Sequence, residues 1–356
     1  MDLKKLKDWE GATLDTDKFL KKYSPWHREK GTKIIEDFLK PDNKVFSWLN
    51  ILKGNEICEN GYEKIPANVH YGIPNHVIGN FDQANLFLCL INPNIEFEDK
   101  FKASEHVSSK RIKNKKNISE YYEEFKKVGA NDPTSHLNNF KDVKSLRNHI
   151  VNRNKNIIQL ESEFDVPEGD GYYIKNYFKG VLKEIKDENY NLGKLKICNL
   201  ELYPFRSRIP GKFMQNLLRT NDDIVLLTAR IILRRIAKFL NNDEKKLKFI
   251  FRRYDDAEMD KKNNRLKYDR MHRGRLAYVL EKDLGYEGKD IDEILTYIEK
   301  EYFYYLYEKD FTKRRNKQRP GDISHKSIKK DKDNGIIKVF NGETDFEEAM
   351  VDLILD

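Results

Sequence analysis

The sequence is poor in cysteine and has no long apolar run. Its 356 residues include three cysteines, Cys58, Cys89 and Cys198, an odd number without a CxxC pair. This disfavours a disulfide framework and indicates a reducing compartment. No stretch approaches the ~18 apolar residues of a membrane helix, and the N-terminus MDLKKLKDWEG lacks the apolar core of a secretion signal. We therefore expect a cytoplasmic protein without a membrane partner.

Several motifs that carry specific chemistry are also absent. The sequence contains no HExxH, no HxxxH and no Cys/His cluster, which are the usual signs of a metal site. It also lacks the phosphate-binding patterns GxxxxGK[ST] and GxGxxG. We therefore predict neither a metal nor a cofactor. Carboxylates are numerous, however, so a metal-dependent nuclease with scattered acidic ligands stays open as an alternative.

What the sequence does have is charge and aromatic residues. Lys plus Arg number 67 and Asp plus Glu 59, a net charge of +8, and aromatic residues make up 12% of the chain. This balance is compatible with a nucleic-acid partner without requiring one. Basic residues are concentrated in KRIKNKKN (110–117) and TKRRNKQRPGDISHKSIKK (312–330). These runs are either DNA contacts or solvated loops, and the candidate contacts in them are Lys110, Arg111, Lys313, Arg314 and Arg315.

Four short apolar segments are predicted to form strands. The clearest is Leu86–Ile91, which has no polar alternation and ends at Asn92-Pro93. A continuous apolar run of this length is typical of a strand covered on both faces, as in a central parallel sheet. The other three predicted strands are Leu195–Tyr203, Lys248–Phe251 and Ile336–Phe340. Helical patterns surround them, the best of which follows Thr220, and a Tyr-rich segment over 294–311 also predicts a helix.

This order of elements predicts an α/β fold, with three α/β/α layers around a central, mainly parallel four-stranded sheet. We expect a helical N-terminal extension over 1–65. The α/β domain then covers 66–356, with a helical insertion at 98–190 and a basic insertion at 255–334. Ligands of such sheets bind beyond the carboxyl ends of the strands. The candidate site segments are therefore 92–94, 203–208, 252–254 and 341–344.

The segment GNFDQANLFLCLINPN resembles the first motif of the mismatch-specific uracil/thymine glycosylases, in the uracil-DNA glycosylase superfamily. In that motif an aliphatic strand ends in Gly-Ile-Asn-Pro-Gly. Here Ile91, Asn92 and Pro93 match it, whereas Leu90 and Asn94 stand where the family has glycines. The segment ICNLELYPFRSR is also similar to a strand, followed by Pro, an aromatic residue, Ser and Arg, in a group of bacterial proteins thought to share this fold.

The last motif of the superfamily departs from the pattern. A His-Pro-Ser loop usually precedes the final helix, and the corresponding position here is NGET (341–344), without a histidine. His325 lies earlier in the chain and would substitute only if the basic insertion folds back.

The resemblance implies an enzyme that flips a base out of DNA and cleaves the bond between base and sugar. Asn92 and His325 would be its catalytic residues, with Asn92 positioning the attacking water. The substrate-binding candidates are Pro93, Asn94, Tyr203, Phe205, Ser207, Arg208 and Asn341. Arg206, Arg252 and Arg253 would join the basic runs in holding DNA phosphates. Tyr203 and Phe205 also have a plainer interpretation, as aromatic residues of the core.

The leading hypothesis is therefore a metal-independent DNA glycosylase. A divergent enzyme with a large basic insertion would suit unusual or modified bases, and a role in bacterial phage defence extends that hypothesis. One alternative is a catalytically inactive, nucleic-acid-binding protein of the same fold. The other is the metal-dependent nuclease.

Overall fold

The computed structural model describes residues 2–39, 74–91, 142–154, 177–178, 196–205, 217–218, 220–242, 247–252, 254, 271–306 and 328–329. The predicted strand Ile336–Phe340 and both basic runs, apart from residues 328–329, lie outside them.

A mixed sheet forms the centre of the fold. The described residues contribute seven strands to it, in the order β3-β1-β4-β2-β5-β6-β7. The four strands β4, β2, β5 and β6 are mutually parallel, whereas β1 is antiparallel to β4 and β7 is antiparallel to β6. The strands are β1 Val77–Ile78, β2 Leu86–Leu90, β3 Val151–Asn152, β4 Ile197–Glu201, β5 Lys248–Phe251, β6 Phe303–Leu306 and β7 Ile328–Lys329. The predicted α/β class is confirmed, with a sheet that is mixed overall.

Three of the four predicted strands are present as β2, β4 and β5. All five residues of β2 and all five of β4 are buried. Burial of both faces explains why their sequences lack polar alternation, since neither face meets water.

Helices flank the sheet. Those before it are α1 Lys4–Lys7, α2 Glu10–Thr13, α3 Thr16–Tyr23, a 3-10 turn Pro25–His27 and α4 Glu29–Leu39. The remaining ones are α5 Val143–Ile150, α6 Asp223–Asn242, α7 Met271–Lys282 and α8 Gly288–Tyr302. Asp15 caps α3 and Asp142 caps α5, each by accepting a hydrogen bond from a backbone N–H of the first turn. No helix of the described segments is long and apolar enough to cross a membrane.

The Tyr-rich segment differs from its prediction. The predicted helix over 294–311 ends at Tyr302, and Phe303–Leu306 continue as β6, the fourth parallel strand. Phe and Tyr have high strand propensity, and β5 offers a partner edge that the local pattern does not reveal. Residues 271–306 lie within the segment predicted as a basic insertion, yet they supply two helices and a strand of the central sheet.

Both faces of the sheet are buried. On one face, alternate residues such as Phe87, Cys89, Cys198 and Phe249 join a core that includes the apolar sides of α6, α7 and α8. The two thiols are free and fully buried, and burial raises the pKa of each. They pack as small apolar side chains in the core. The opposite face carries Leu86, Leu88, Ile197 and Ile250, and, unexpectedly, the polar residues Asn199 and Glu201.

Candidate active site

Strand order predicts a ligand site at the carboxyl ends of the parallel strands. Within the parallel set β4-β2-β5-β6, the first strand in the chain, β2, lies between the second, β4, and the third, β5. The chain therefore leaves β2 toward one side and later crosses to the other side. In open α/β sheets, such a reversal of strand order separates the loops at the carboxyl edge and creates the ligand-binding crevice.

Backbone hydrogen bonds extend the pairing of β2 with β4 and β5 to the carboxyl end of β2. The N–H of Tyr203 donates to the carbonyl of Ile91 at 2.7 Å, and that of Leu202 donates to Leu90 at 3.0 Å. On the other side, the N–H of Arg252 donates to the carbonyl of Cys89 at 2.9 Å. The ends of β4 and β5 thus flank Ile91, which directly precedes the predicted catalytic Asn92.

Tyr203 and Phe205, predicted to contact a base, are fully buried. Their ring centroids lie 5.2 Å apart in an edge-on arrangement, and Trp26 packs edge-on against Phe205 at 6.1 Å. These contacts correspond to the core interpretation that the sequence also allows. Contact of either ring with a base stays a prediction.

Arg252 is the third predicted site residue that the structure describes. It is partly buried at the end of β5, and its Nη1 donates to the hydroxyl of Tyr177 at 3.1 Å. Its role in holding DNA stays a prediction.

The other predicted site residues lie outside the described segments. Their roles, and whether they come together in space, stay predictions. They are Asn92, Pro93, Asn94, Lys110, Arg111, Arg206, Ser207, Arg208, Arg253, Lys313, Arg314, Arg315, His325 and Asn341.

The site predicted from the sequence did not include a buried polar pair on β4. The amide Nδ2 of Asn199 donates to Oε1 of Glu201 at 3.1 Å, and both side chains are fully buried. Thr228 of α6 donates its hydroxyl to the carbonyl of Glu201 at 2.8 Å. The available signal was the segment ICNLE, in which two polar residues at alternate positions interrupt an apolar strand and so share one face of the sheet.

Two buried histidines stand beside the same edge. Nε2 of His272, in the first turn of α7, lies 3.1 Å from the carbonyl of Leu90, the last residue of β2. Burial, only partly offset by this hydrogen bond, lowers the pKa of His272 to about 3. At neutral pH its ring is therefore uncharged, and an Nε2 proton is donated to Leu90.

His76 precedes β1 and has a similarly fixed ring. The indole Nε1 of Trp26 lies 2.8 Å from Nδ1 of His76. Because an indole N–H only donates, Nδ1 must accept and the proton of the neutral ring lies on Nε2. Burial lowers the pKa of His76 to about 3. The backbone carbonyl of His76 also accepts from the N–H of Glu201 at 2.9 Å, which ties this residue to the end of β4.

The end of β5 is tied to α7 and α8 by a buried carboxylate. Oε1 of Glu299 in α8 accepts from the hydroxyl of Tyr254 at 2.7 Å and from Nε of Arg273 at 2.8 Å. Among the described residues, no group of three or more His, Cys, Asp or Glu side chains could hold a metal ion. The carboxyl edge of the sheet is thus stabilised by backbone hydrogen bonds at the strand ends, by buried side-chain hydrogen bonds and by the ion pair of Arg273 with Glu299.

Comparisons with protein-family models, with curated proteins and with solved structures find no match for this chain.

Proposed function

We propose that this protein is a DNA N-glycosylase with a three-layer α/β/α fold like that of the uracil-DNA glycosylase superfamily. One observation carries the proposal. The strand that precedes Asn92-Pro93 lies between two parallel neighbours, at the point where strand order reverses. The segment that resembles a glycosylase motif therefore begins at the position where α/β sheets bind their ligands.

The chemistry of base excision fits the residue types at this position. Cleavage of the glycosidic bond leaves a cation-like sugar that a water molecule must attack. The amide oxygen of Asn92 can accept a hydrogen bond from that water without being ionised. Pro93 restricts φ to about −65° and stiffens the turn that aims the amide. Asn94, the segment 203–208 and Asn341 then complete the proposed base pocket.

DNA is the proposed partner because the chain carries a net charge of +8 and two basic runs. Arg252 stands at the carboxyl end of β5, where a guanidinium can hold a phosphate or an anionic base. The basic runs would contact the DNA backbone and supply affinity without sequence preference.

The test is an excision assay on purified protein. Duplexes that contain uracil, mismatched thymine or modified cytosine are incubated in EDTA, and abasic sites are scored by alkaline cleavage. We expect abasic product with at least one of these bases, and a loss of about 100-fold or more in Asn92→Ala. Asn241→Ala is the matched control, because Asn241 near the end of α6 donates to the carbonyl of Lys7, away from the carboxyl edge.

The same assay separates the alternatives. Tight DNA binding without abasic product from any base would contradict the proposal and favour an inactive, nucleic-acid-binding protein. Strand breaks that appear with Mg²⁺ and vanish in EDTA would instead favour the metal-dependent nuclease. If excision occurs, the proposed role in phage defence predicts a preference for modified bases over uracil.

A further inference from the structure

Arg147 of α5 is a half-buried cation that forms no ion pair with the described residues. Its Nη2 donates to the hydroxyl of Thr32 in α4 at 2.7 Å, and its Nε is buried without an acceptor. Other arginines, such as Arg153 and Arg230, each pair with a carboxylate. The charge of Glu36 acts on Arg147 without forming such a pair. Because a guanidinium stays protonated in proteins, Arg147 carries a positive charge that is open to a further anion.

The terminal nitrogen Nη1 of Arg147 is accessible to solvent. It has no hydrogen-bond partner among the described residues, and unlike Nε it is not one of their buried polar atoms. A guanidinium is planar and rigid, so the hydrogen bond from Nη2 to Thr32 also fixes the position of Nη1. An acceptor from outside the chain can therefore reach Nη1 without any rearrangement of the fold.

Two further cations lie close to Arg147, around the ring of His27. Arg153 follows β3, and Lys21 belongs to α3. Burial, with the added effect of the charges of Arg147, Arg153 and Lys21, lowers the pKa of His27 to about 4, so the ring is uncharged at neutral pH. Asp17 offsets part of the positive charge by pairing with Arg153 at 2.8 Å. The three cations, which we call the Arg147 cluster, therefore keep an excess of positive charge.

The Arg147 cluster flanks the carboxyl edge of the sheet. Trp26, the neighbour of His27 in the 3-10 turn, donates to Nδ1 of His76 at 2.8 Å. The backbone of His76 then accepts from the N–H of Glu201, at the end of β4, and donates to the carbonyl of Ile150, at the end of α5. The cluster thus stands beside β3, which is the outermost of the described strands on this side.

We propose that the Arg147 cluster binds phosphates of the DNA backbone beside the carboxyl edge. This inference rests on the proposed DNA partner, and it adds a contact surface on the N-terminal helices and α5, outside the two basic runs. A guanidinium with a free N–H group forms strong, charge-assisted hydrogen bonds to phosphate oxygens. A DNA strand offers successive phosphates, so that separate cations each find an acceptor and position the duplex without reading its sequence.

The salt dependence of DNA affinity tests this contact without requiring excision. The dissociation constant of a short undamaged duplex is measured between about 50 and 200 mM salt. Each phosphate contact contributes about 0.9 to the slope of log K against log salt concentration. Arg147→Gln should therefore lower the slope by about 1 and weaken binding about 5- to 10-fold at ~100 mM salt. Arg147→Lys retains the charge and should retain the slope.

Lys289→Gln is the matched control. Lys289 is exposed in α8, which leads into β6 on the other side of the sheet from β3, and it pairs with Glu293 at 3.3 Å. This variant removes an equal charge and should leave the slope unchanged. If Arg147→Gln does not fold, Lys21→Gln replaces it, because Lys21 is exposed, and should show the same loss of slope. An unchanged slope in the folded variant, or an equal loss in Lys289→Gln, would overturn the proposal.

The ring of His27 reports where the anion binds. Phosphate beside Arg147 and Arg153 changes the electric field at this ring, so its NMR signals should shift when the duplex is added at neutral pH. His27→Gln identifies these signals, and those of His272, buried beneath the end of β2, should not move. A response to inorganic phosphate, with a DNA slope that Arg147→Gln leaves unchanged, would identify a site for a small anion and overturn the DNA contact.

The outcomes also separate this inference from the proposed enzyme activity. A loss of slope in Arg147→Gln, without abasic product from any base, would support the Arg147 cluster as a DNA contact and contradict base excision. Excision with an unchanged slope would leave the glycosylase proposal intact and overturn the DNA contact.

Discussion

Arg234, fully buried in α6, forms a two-point ion pair with Asp82 in the turn between β1 and β2. Its Nε lies 2.8 Å from Oδ1 of Asp82 and its Nη2 lies 3.1 Å from Oδ2. The guanidinium also donates to the carbonyl of Gly11 and stacks over the ring of Phe19 at 4.6 Å. One side chain thereby joins α2, α3, α6 and the start of the central sheet.

Breaking this pair should strongly destabilise the fold. Asp82→Asn leaves the guanidinium of Arg234 buried without a counter-charge, and we expect the free energy of unfolding to fall by about 3 kcal/mol. Urea denaturation followed by circular dichroism measures the loss. Glu10→Gln is the control, because its ion pair with Lys22 lies on the surface and should contribute less than about 0.5 kcal/mol. Similar small losses in both variants would show that the buried pair has no special role.

Stability should fall as the pH drops below neutrality, because two buried histidines and the partly buried His27 stay uncharged in the folded chain. In unfolded chains a histidine takes up a proton as pH falls through about 6.5, whereas the folded pKa is about 3 for His76 and His272 and about 4 for His27. Protons are therefore taken up on unfolding between these limits. Stability is fully retained above pH 6.5 and is lost progressively toward pH 3 to 4, at about 1.4 kcal/mol per pH unit for each histidine.

Urea denaturation at pH 7, 6 and 5 measures this slope. His272→Gln keeps an N–H that can donate to Leu90 and removes the titrating ring, so the slope should decrease by about one proton. A slope equal to that of the wild type would contradict the assignment of a neutral, buried His272.

A further loss of stability is expected in stronger acid, because Asp82 becomes protonated there. Burial opposes the charge of Asp82, but hydrogen bonds from Arg234 and Thr16 outweigh it and lower its pKa to about 2 from 3.8, so its contribution disappears as pH falls through that range.

Gly79 should tolerate no side chain. It follows β1 with φ of +113°, and a Cβ there would lie 2.5 Å from the carbonyl oxygen of Ile197, at the start of β4. We expect Gly79→Ala to lower the free energy of unfolding by about 3 kcal/mol, through backbone strain and displacement of the neighbouring strand. Gly285→Ala is the control. It has φ of +71° with no atom within 4 Å of the added Cβ, so it should cost about 1 kcal/mol. Equal losses would mean that strain alone, without the clash, sets the cost.

The sequence alone determined the class of the fold and three of its central strands. Apolar runs such as LFLCL identify buried strands because both faces of a central parallel strand must exclude water. The helix that becomes α6 was equally readable, since acidic residues at its start and an apolar stripe along it are local features. Resemblance to a glycosylase motif supplied the hypothesis for Asn92 and its neighbours.

Only the tertiary structure decided the order of the strands and the polar interior. A sequence does not show that Phe303–Leu306 pair with β5, because the strand propensity of aromatic residues produces a strand only where a partner edge is present. It also cannot show that Leu90 lies beside Glu201 or that Cys89 lies beside Phe251. Register is fixed by backbone pairing between segments that are more than 100 residues apart for the first pair and more than 150 for the second. Local patterns reveal burial, whereas the partner of a buried charge is set by long-range packing.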